Sequence, residues 1–136
     1  MKAVFADAFF YIALLNERDE HHERVTEYAD STVDFFYTTR WILAEVANTF
    51  GKTSIRVAAA RFLLEIEHDP NVKIVGDSDE LYRRGLALYT DRPDKQWSLT
   101  DCISFLVMED ESITDALTRD HHFSQAGFVP MFSDLP

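Results

Sequence analysis

The sequence predicts an α/β fold: a three-layer sandwich with a mostly parallel, doubly wound central sheet. Short apolar runs typical of buried strands alternate along the chain with longer segments whose apolar residues recur at helical spacing. The first run, residues 3–6, is apolar at every position, as a strand covered on both faces is. The length fits a single domain over residues 1–136, and the composition is that of a folded protein.

Five segments have the length and composition of strands. The first ends at Asp7, and the third follows a turn at residues 69–71 (Asp-Pro-Asn). The fifth contains Pro130, which cannot donate a ladder hydrogen bond and therefore indicates a sheet edge. The predicted strands are residues 3–6, 33–37, 72–75, 115–118 and 128–132.

Six segments fit helices. The third can be capped by Thr38 or Thr39 and ends at Gly51, and the sixth opens just after Ser98 with an apolar stripe at helical spacing. The predicted helices are residues 9–15, 21–29, 40–50, 54–67, 77–89 and 99–110.

Charge and cysteine content restrict the function. A formal charge of −11 argues against tight, non-specific duplex binding through a broad basic face. It leaves room for a nucleic-acid enzyme whose acids are screened by divalent cations. The single cysteine, Cys102, excludes an internal disulfide and suits a reducing cytoplasm. The apolar run over residues 3–15 is interrupted by Asp7 and is too short to span a bilayer, so no membrane association is predicted.

Three aspartates fall where a doubly wound fold forms its sites, beyond the carboxyl ends of the strands. Asp7 follows the first strand, Asp120 follows the fourth, and Asp101 lies in the first turn of the sixth helix. Each also has an ordinary structural explanation. Asp7 could cap a helix, Ser98 and Asp101 have the spacing of a capping box, and Asp120 could hold its own turn.

A fourth acid, Glu45, lies within the apolar segment of the third helix. A carboxylate there is costly unless it is coordinated or paired, for example with Arg40 or Arg61. Two unit charges about 4 Å apart repel by roughly 4 kcal/mol at an effective dielectric near 20, so four acids at one edge should hold protons or bind cations. Oxygen ligands favour Mg²⁺ or Mn²⁺. Asp115 starts the fourth strand and is predicted to lie at the opposite edge.

Four residues close to Asp120 in the sequence have different predicted roles. The Thr118 hydroxyl could hold Asp120 or a water on the metal. His121 and His122 are adjacent and are predicted to face different ways, which is not a zinc-ligand arrangement, so at most one lies near a substrate phosphate. Phe123 is predicted to anchor the loop that follows the fourth strand.

Together these residues resemble the PIN-domain nucleases and, within that family, the toxins of VapC type. The resemblance begins with the apolar strand that ends at Asp7 and includes Glu45 in the third helix. Immediately after the first acid the family often has Thr or Ser, where this chain has Ala8. The most specific matches are Ser98-Leu-Thr-Asp101, Ala116-Leu-Thr-x-Asp120-x-His-Phe123 and Ala126-Gly-Phe128.

The resemblance implies a doubly wound, PIN-like fold and hydrolysis of RNA phosphodiester bonds with Mg²⁺ or Mn²⁺. It implies that Asp7 and Asp101 bind the metal directly, that Asp120 completes the acidic metal cluster, and that Glu45 is a ligand or orients water. It also implies an RNA substrate, an antitoxin that blocks the site, and pairing of two copies of the chain. The predicted catalytic residues are Asp7, Glu45, Asp101 and Asp120, supported by Ser98 and Thr118.

Two other functions remain open. A receiver-like signalling domain is also doubly wound, but it needs a lysine after its last strands, and residues 129–131 (Val-Pro-Met) offer none. A PIN-like module could instead bind RNA or a protein partner without cutting. Basic residues that could contact RNA phosphates are Arg40, Lys52, Arg92, Lys95 and Arg119.

Overall fold

The computed structural model describes residues 1–76 and 78–135, and its strands form one five-stranded sheet in which every neighbouring pair is parallel. The order β3-β2-β1-β4-β5 places the first strand at the centre. The chain builds outward from β1 in one direction and then in the other, so right-handed connections place helices on both faces. This confirms the predicted doubly wound fold. The strands are β1 (Ala3–Ala6), β2 (Phe35–Thr39), β3 (Val72–Val75), β4 (Asp115–Leu117) and β5 (Val129–Pro130).

The six predicted helices are all present, with ends within two residues of those predicted, although Asp77, the predicted start of the fifth, lies outside the described residues. Thr39 caps the third helix by accepting the Ile42 N–H at 3.1 Å. Within the described ranges no helix has the length and hydropathy that a membrane crossing requires. The helices are α1 (Ala8–Leu15), α2 (His22–Ser31), α3 (Arg40–Thr49), α4 (Arg56–Ile66), α5 (Asp79–Asp91), α6 (Leu99–Asp110) and α7 (His121–Gln125).

Strand β2 begins two residues later than predicted. Its register is set by pairing with β1, in which Phe35 lies opposite Ala3. Val33 precedes this pairing and is 79% exposed. At its other end the strand continues to Thr39, which pairs with Val75 of β3. The apolar character of Val33 therefore gave the wrong start, because strand pairing sets the limits of this element.

Helix α7 was predicted as a loop, which was wrong. Asp120 caps this five-residue helix by accepting the His122 N–H at 2.9 Å. The ring of Phe123, fully buried as the predicted anchor, lies 5.0 Å from that of Phe105 and 6.4 Å from that of Phe5. The five-residue helix is too short to show a helical spacing of apolar residues in the sequence. Its stability depends on the packing of Phe123 against the core.

Pro130 lies in an edge strand, as predicted. Both neighbours of Pro130 donate backbone hydrogen bonds toward β4. The Val129 N–H bonds to the carbonyl of Thr114, the residue just before β4, and the Met131 N–H bonds to the carbonyl of Ala116 within β4, both at 2.9 Å. Only alternate residues of an edge strand donate to the sheet, so proline at the position between them costs no hydrogen bond.

Helices α5 and α6 pack closely through Gly85. A Cβ atom built on Gly85 would collide with the side chain of Ile103, which is itself fully buried. Because α6 carries Asp101 at its start, this contact helps to fix the position of that acid relative to the sheet.

We expect Gly85→Ala to lower the free energy of unfolding by about 1–3 kcal/mol, because overpacking a well-filled core outweighs the better helix propensity of alanine. Urea denaturation measures this difference. Gly51→Ala is the matched control, since an added Cβ there meets nothing closer than 3.5 Å. A Gly85→Ala protein as stable as the wild type would contradict this description of the contact.

Candidate active site

The ends of β1 and β4 bring together residues from opposite ends of the chain. Ala6 pairs with Leu117, so Asp7 and Thr118, which follow them, are neighbours. The Thr118 hydroxyl donates to Asp7 Oδ2 at 2.7 Å and accepts the N–H of Asp120 at 3.1 Å. One buried hydroxyl therefore links the first acid to the backbone of the last.

Asp7 occupies the N-cap position of α1, but its side chain makes no capping hydrogen bond to the first turn. The carboxyl group is directed to Thr118 instead. Burial raises the pKa of Asp7 to about 7; the Thr118 hydrogen bond opposes this change, while the charges of Asp101 and Glu45 add to it. The hydrogen bond from Thr118 therefore does not make up for the hydration that the ionised Asp7 carboxylate loses on burial.

Asp101 makes the predicted capping box and also faces the site. Ser98 Oγ accepts the Asp101 N–H at 3.0 Å, and Asp101 Oδ2 accepts the Ser98 N–H at 3.1 Å. Its side chain is 15% exposed, and burial raises its pKa; the Ser98 bond lowers that pKa, and the charge of Asp120 raises it. The same Oδ2 atom lies 3.4 Å from His122 Nδ1, so the capping box holds this carboxylate beside the site.

Asp120 lies beside two histidines, contrary to the prediction that His121 and His122 face different ways. Their ring centroids are 4.4 Å apart, and one donor atom from each lies within 4.8 Å of the others and of an Asp120 oxygen. The two residues open α7, where successive side chains are only about 100° apart around the axis. The short helix, which the sequence did not reveal, accounts for this difference.

The sequence predicts Glu45 to be a carboxylate inside the apolar segment of α3, but its side chain lies outside the buried stripe of that helix. The residue is exposed, whereas Ile42 and Val46 are buried. Partial loss of water around its carboxyl group nevertheless raises the pKa of Glu45; a hydrogen bond with Thr100 lowers it, and the charge of Asp101 raises it. Glu45 therefore lies at the rim of the site, close enough to the other acids to repel them.

The arginines suggested as structural partners for Glu45 do not neutralise it. Arg40 pairs with Glu67, and no ion pair joins Glu45 to Arg61 in the part of the chain that the structure describes. Asp115 lies at the other sheet edge, as predicted, where it pairs with Lys2. The four acids from four segments thus share one edge of the sheet, and this fifth acid does not.

The donor set fits a divalent cation. Within residues 1–76 and 78–135, neither lysine nor arginine pairs with Asp7, Asp101 or Asp120. Within these ranges no permanent cation balances their negative charge, which favours proton or cation binding. The Nδ1 atom of His122 is buried and has no hydrogen-bond partner, although it lies 3.4 Å from Asp101 Oδ2 and 3.3 Å from Asp120 Oδ1. Oxygen donors and one unsatisfied nitrogen therefore converge here.

The comparison that decides the family covers nearly the whole chain. Residues 4–129 match the family model described as PIN domain. The chain belongs to the PIN domain family. The resemblance inferred from the motifs is thereby confirmed, and the site described above lies at the carboxyl edge of a PIN sheet.

Individual PIN proteins are similar over the same span. The chain is 27% identical over 133 residues to the 23S rRNA-specific endonuclease VapC20 of Mycobacterium tuberculosis, covering 93% of this chain and 95% of the relative. The crystal structure of VapC20, described as a Sarcin-Ricin loop cleaving toxin, has a TM-score of 0.83 at 25% identity and matches 93% of this chain and 96% of that one.

Two more distant structures share the PIN fold alone. VapBC2 from Rickettsia felis, bound to a DNA fragment from its promoter, has a TM-score of 0.62 at 13% identity, covering 94% of this chain and 96% of that one. FitAcB from Neisseria gonorrhoeae has a TM-score of 0.65 at 18% identity, covering 93% and 95%.

Replacing Thr118 by valine keeps its shape and removes the hydroxyl. We expect Thr118→Val to lower the free energy of unfolding by about 1–3 kcal/mol, because the half-buried Asp120 N–H loses its acceptor and the Asp7 carboxylate loses its donor. Urea denaturation measures the loss. Thr90→Val is the control: its exposed hydroxyl bonds to Leu86 O within its own helix, and its removal should cost less than about 0.5 kcal/mol. Equal losses in both variants would contradict the linking role of Thr118.

The raised pKa of Asp7 makes stability depend on pH. An aspartate in the unfolded chain titrates near about 3.9, whereas Asp7 in the fold titrates at about 7. Proton uptake therefore stabilises the metal-free fold at low pH, and this stabilisation is lost as the pH rises through about 7.

We expect Asp7→Asn, in the presence of a chelator, to be more stable than the wild type by a margin that is about 1–2 kcal/mol larger at pH 8 than at pH 5, where the unfolded Asp7 is already largely ionised. This free-energy difference is smaller than the full change in the pKa of Asp7 would give, because the Asp7 side chain keeps some contact with solvent. Denaturant titrations at the two pH values test this, with exposed Asp30→Asn as control. A gain in stability that is the same at both pH values would show that it does not come from removing the ionisation of Asp7.

Proposed function

We propose that this chain, taken as one nuclease domain, is an endoribonuclease toxin that hydrolyses RNA phosphodiester bonds with Mg²⁺ or Mn²⁺. The main support for the proposal is that Asp7, Asp101 and Asp120 lie together beyond the carboxyl ends of the strands. Within the described ranges none of them pairs with a lysine or an arginine. The similarity to an RNA-cutting toxin supports the same conclusion.

The acids have different positions and therefore different proposed roles. Asp7, Asp101 and Asp120 hold the cation, with Thr118 and Ser98 fixing the first two. A divalent cation bound there would polarise the scissile phosphate and make water a better nucleophile.

Glu45, at the exposed rim, is placed to orient water and to accept its proton. The water oxygen bonds to phosphorus as the P–O ester bond breaks. The proton that water releases is then available to the leaving oxygen.

The acidic chain needs cationic side chains to hold RNA. Of the five basic candidates, Arg40 and Arg92 each pair with a neighbouring acid. Arg119 donates to a backbone carbonyl and lies over the ring of Phe9. Lys52 and Lys95 make no ion pair within the described ranges, and we assign RNA phosphate contacts to them first.

The relatives suggest the substrate and the partner. VapC20 acts on 23S rRNA, so structured ribosomal RNA is the first substrate to test. VapC20 is described as a toxin, and the resemblance to VapC-type toxins implies an antitoxin partner for this chain. An acidic pocket would attract a basic side chain from such a partner on Coulomb grounds. Pairing of two copies and a cytoplasmic location stay predictions.

Asp101→Asn tests the proposed activity. We expect the variant to cleave ribosomal RNA at least about 100-fold more slowly in the presence of Mg²⁺ or Mn²⁺, because a neutral amide neither holds the cation nor completes the charge of the site. Asp115→Asn, which changes an acid at the opposite edge, should cut at the wild-type rate. Wild-type cleavage by Asp101→Asn would refute the proposed site, and no metal-dependent cleavage by the wild type would refute the activity.

A further inference from the structure

The acidic site contains a nitrogen donor that the proposed roles of the acids leave unused. His122 Nδ1 lies 3.3 Å from Asp120 Oδ1 and 3.4 Å from Asp101 Oδ2. The atom is buried, and although it lies within ion-pair distance of both carboxylates it has no well-aligned hydrogen bond to them or to any other group that the structure describes. Its ring is 19% exposed, so water has little access to it. A buried polar atom without a partner is uncommon and calls for a physical explanation.

The distances from Nδ1 to the two carboxylate oxygens are close to those between neighbouring ligands of one ion. Neighbouring ligands of an octahedral ion, each about 2.1 Å from it, lie about 3.0 Å apart. The two distances from Nδ1 exceed this value by only a few tenths of an ångström, so small side-chain movements would let the nitrogen share a cation with a neighbouring carboxylate.

The histidine is held in this position from several directions. Its own backbone N–H donates to Asp120 Oδ1 at 2.9 Å. The next residue, Phe123, is fully buried against the core. At the end of α7, Gln125 accepts the indole N–H of Trp97 at 3.0 Å, which ties the helix to the loop before α6. The imidazole is therefore preorganised beside the acids, as a ligand must be to bind without a large conformational cost.

We propose that His122 is itself a ligand of the divalent cation, through Nδ1, and that it makes the site prefer a first-row transition ion, with Mn²⁺ as the probe, over Mg²⁺. Mg²⁺ takes almost only oxygen ligands, whereas first-row transition ions also accept imidazole nitrogen; Mn²⁺, the weakest binder of that series, resembles Mg²⁺ most in its preference for oxygen and is therefore a stringent probe. The inference rests on the proposed metal-dependent function, but it assigns a ligand and an ion preference that the acids alone do not supply.

The adjacent His121 provides a matched control. Its side chain is 74% exposed, and its Nδ1 lies 3.7 Å from Asp120 Oδ1. His121 therefore has the same chemistry in the next position of the same helix, without the burial and without the second carboxylate.

Pulsed electron paramagnetic resonance of the Mn²⁺-loaded full chain tests the assignment directly, because coordinated imidazole adds a ¹⁴N modulation to the Mn²⁺ echo. We expect this modulation in the wild type and in His121→Asn, and its loss in His122→Asn. A wild-type spectrum without ¹⁴N modulation overturns the proposal. So does a modulation that survives in His122→Asn. The wild-type spectrum does not depend on any variant folding.

Calorimetric titration with Mn²⁺ and with Mg²⁺, at one fixed pH, tests the ion preference. Asparagine can place its amide oxygen near the position of Nδ1, so His122→Asn exchanges nitrogen for oxygen at similar reach. We expect the ratio of Mn²⁺ to Mg²⁺ affinity to fall by about tenfold or more in His122→Asn and to stay unchanged in His121→Asn. An unchanged ratio in His122→Asn, with its circular dichroism spectrum intact, overturns the proposal.

Cleavage of ribosomal RNA by the same preparations separates this inference from the function on which it rests. Metal-dependent cleavage without ¹⁴N modulation overturns the His122 assignment and leaves the ribonuclease. Modulation and Mn²⁺ binding without cleavage support His122 as a ligand and count against the ribonuclease.

Discussion

The parallel pairing of β1 with β4 is the constraint on which the site depends. It aligns Ala6 with Leu117 and so brings Asp7 against Thr118, residues that lie 111 positions apart. Both strands are fully buried at these positions, so a shift of register would move apolar side chains out of the core. The same pairing that fills the core thus fixes an unfavourable carboxylate at its edge, and burial raises the pKa of Asp7 as a result. A bound cation would offset that cost.

Much of this arrangement follows from local sequence rules. The ends of β1 and α6 agree with the prediction to the residue, because each has a local signal: an unbroken apolar run for the strand, and Ser98 with Asp101 as a capping box for the helix. The general rule that sites form beyond the carboxyl ends of parallel strands then predicts that Asp7 and Asp120 lie near each other.

Other features depend on tertiary contacts that no local pattern contains. Helix α7 exists because Phe123 is buried between other aromatic rings, and without that helix the relation between His121 and His122 could not be inferred. Apolar residues cover much of the circumference of α3, so the sequence does not show whether Glu45 faces the core or the solvent. The sequence indicates Thr118 as a partner of Asp120. Its hydrogen bond to Asp7 can be predicted only when β1 is known to pair with β4.

The two-residue strand β5 has a further consequence for the behaviour of the protein at high concentration. An open sheet edge is a template on which another chain can add a strand, and long, flat edges lead to aggregation. Here that side of the sheet ends in a short segment interrupted by Pro130, whose nitrogen has no proton to offer. Such an edge has too few free groups to extend into a fibril, so self-association through this side of the sheet is disfavoured by the backbone itself.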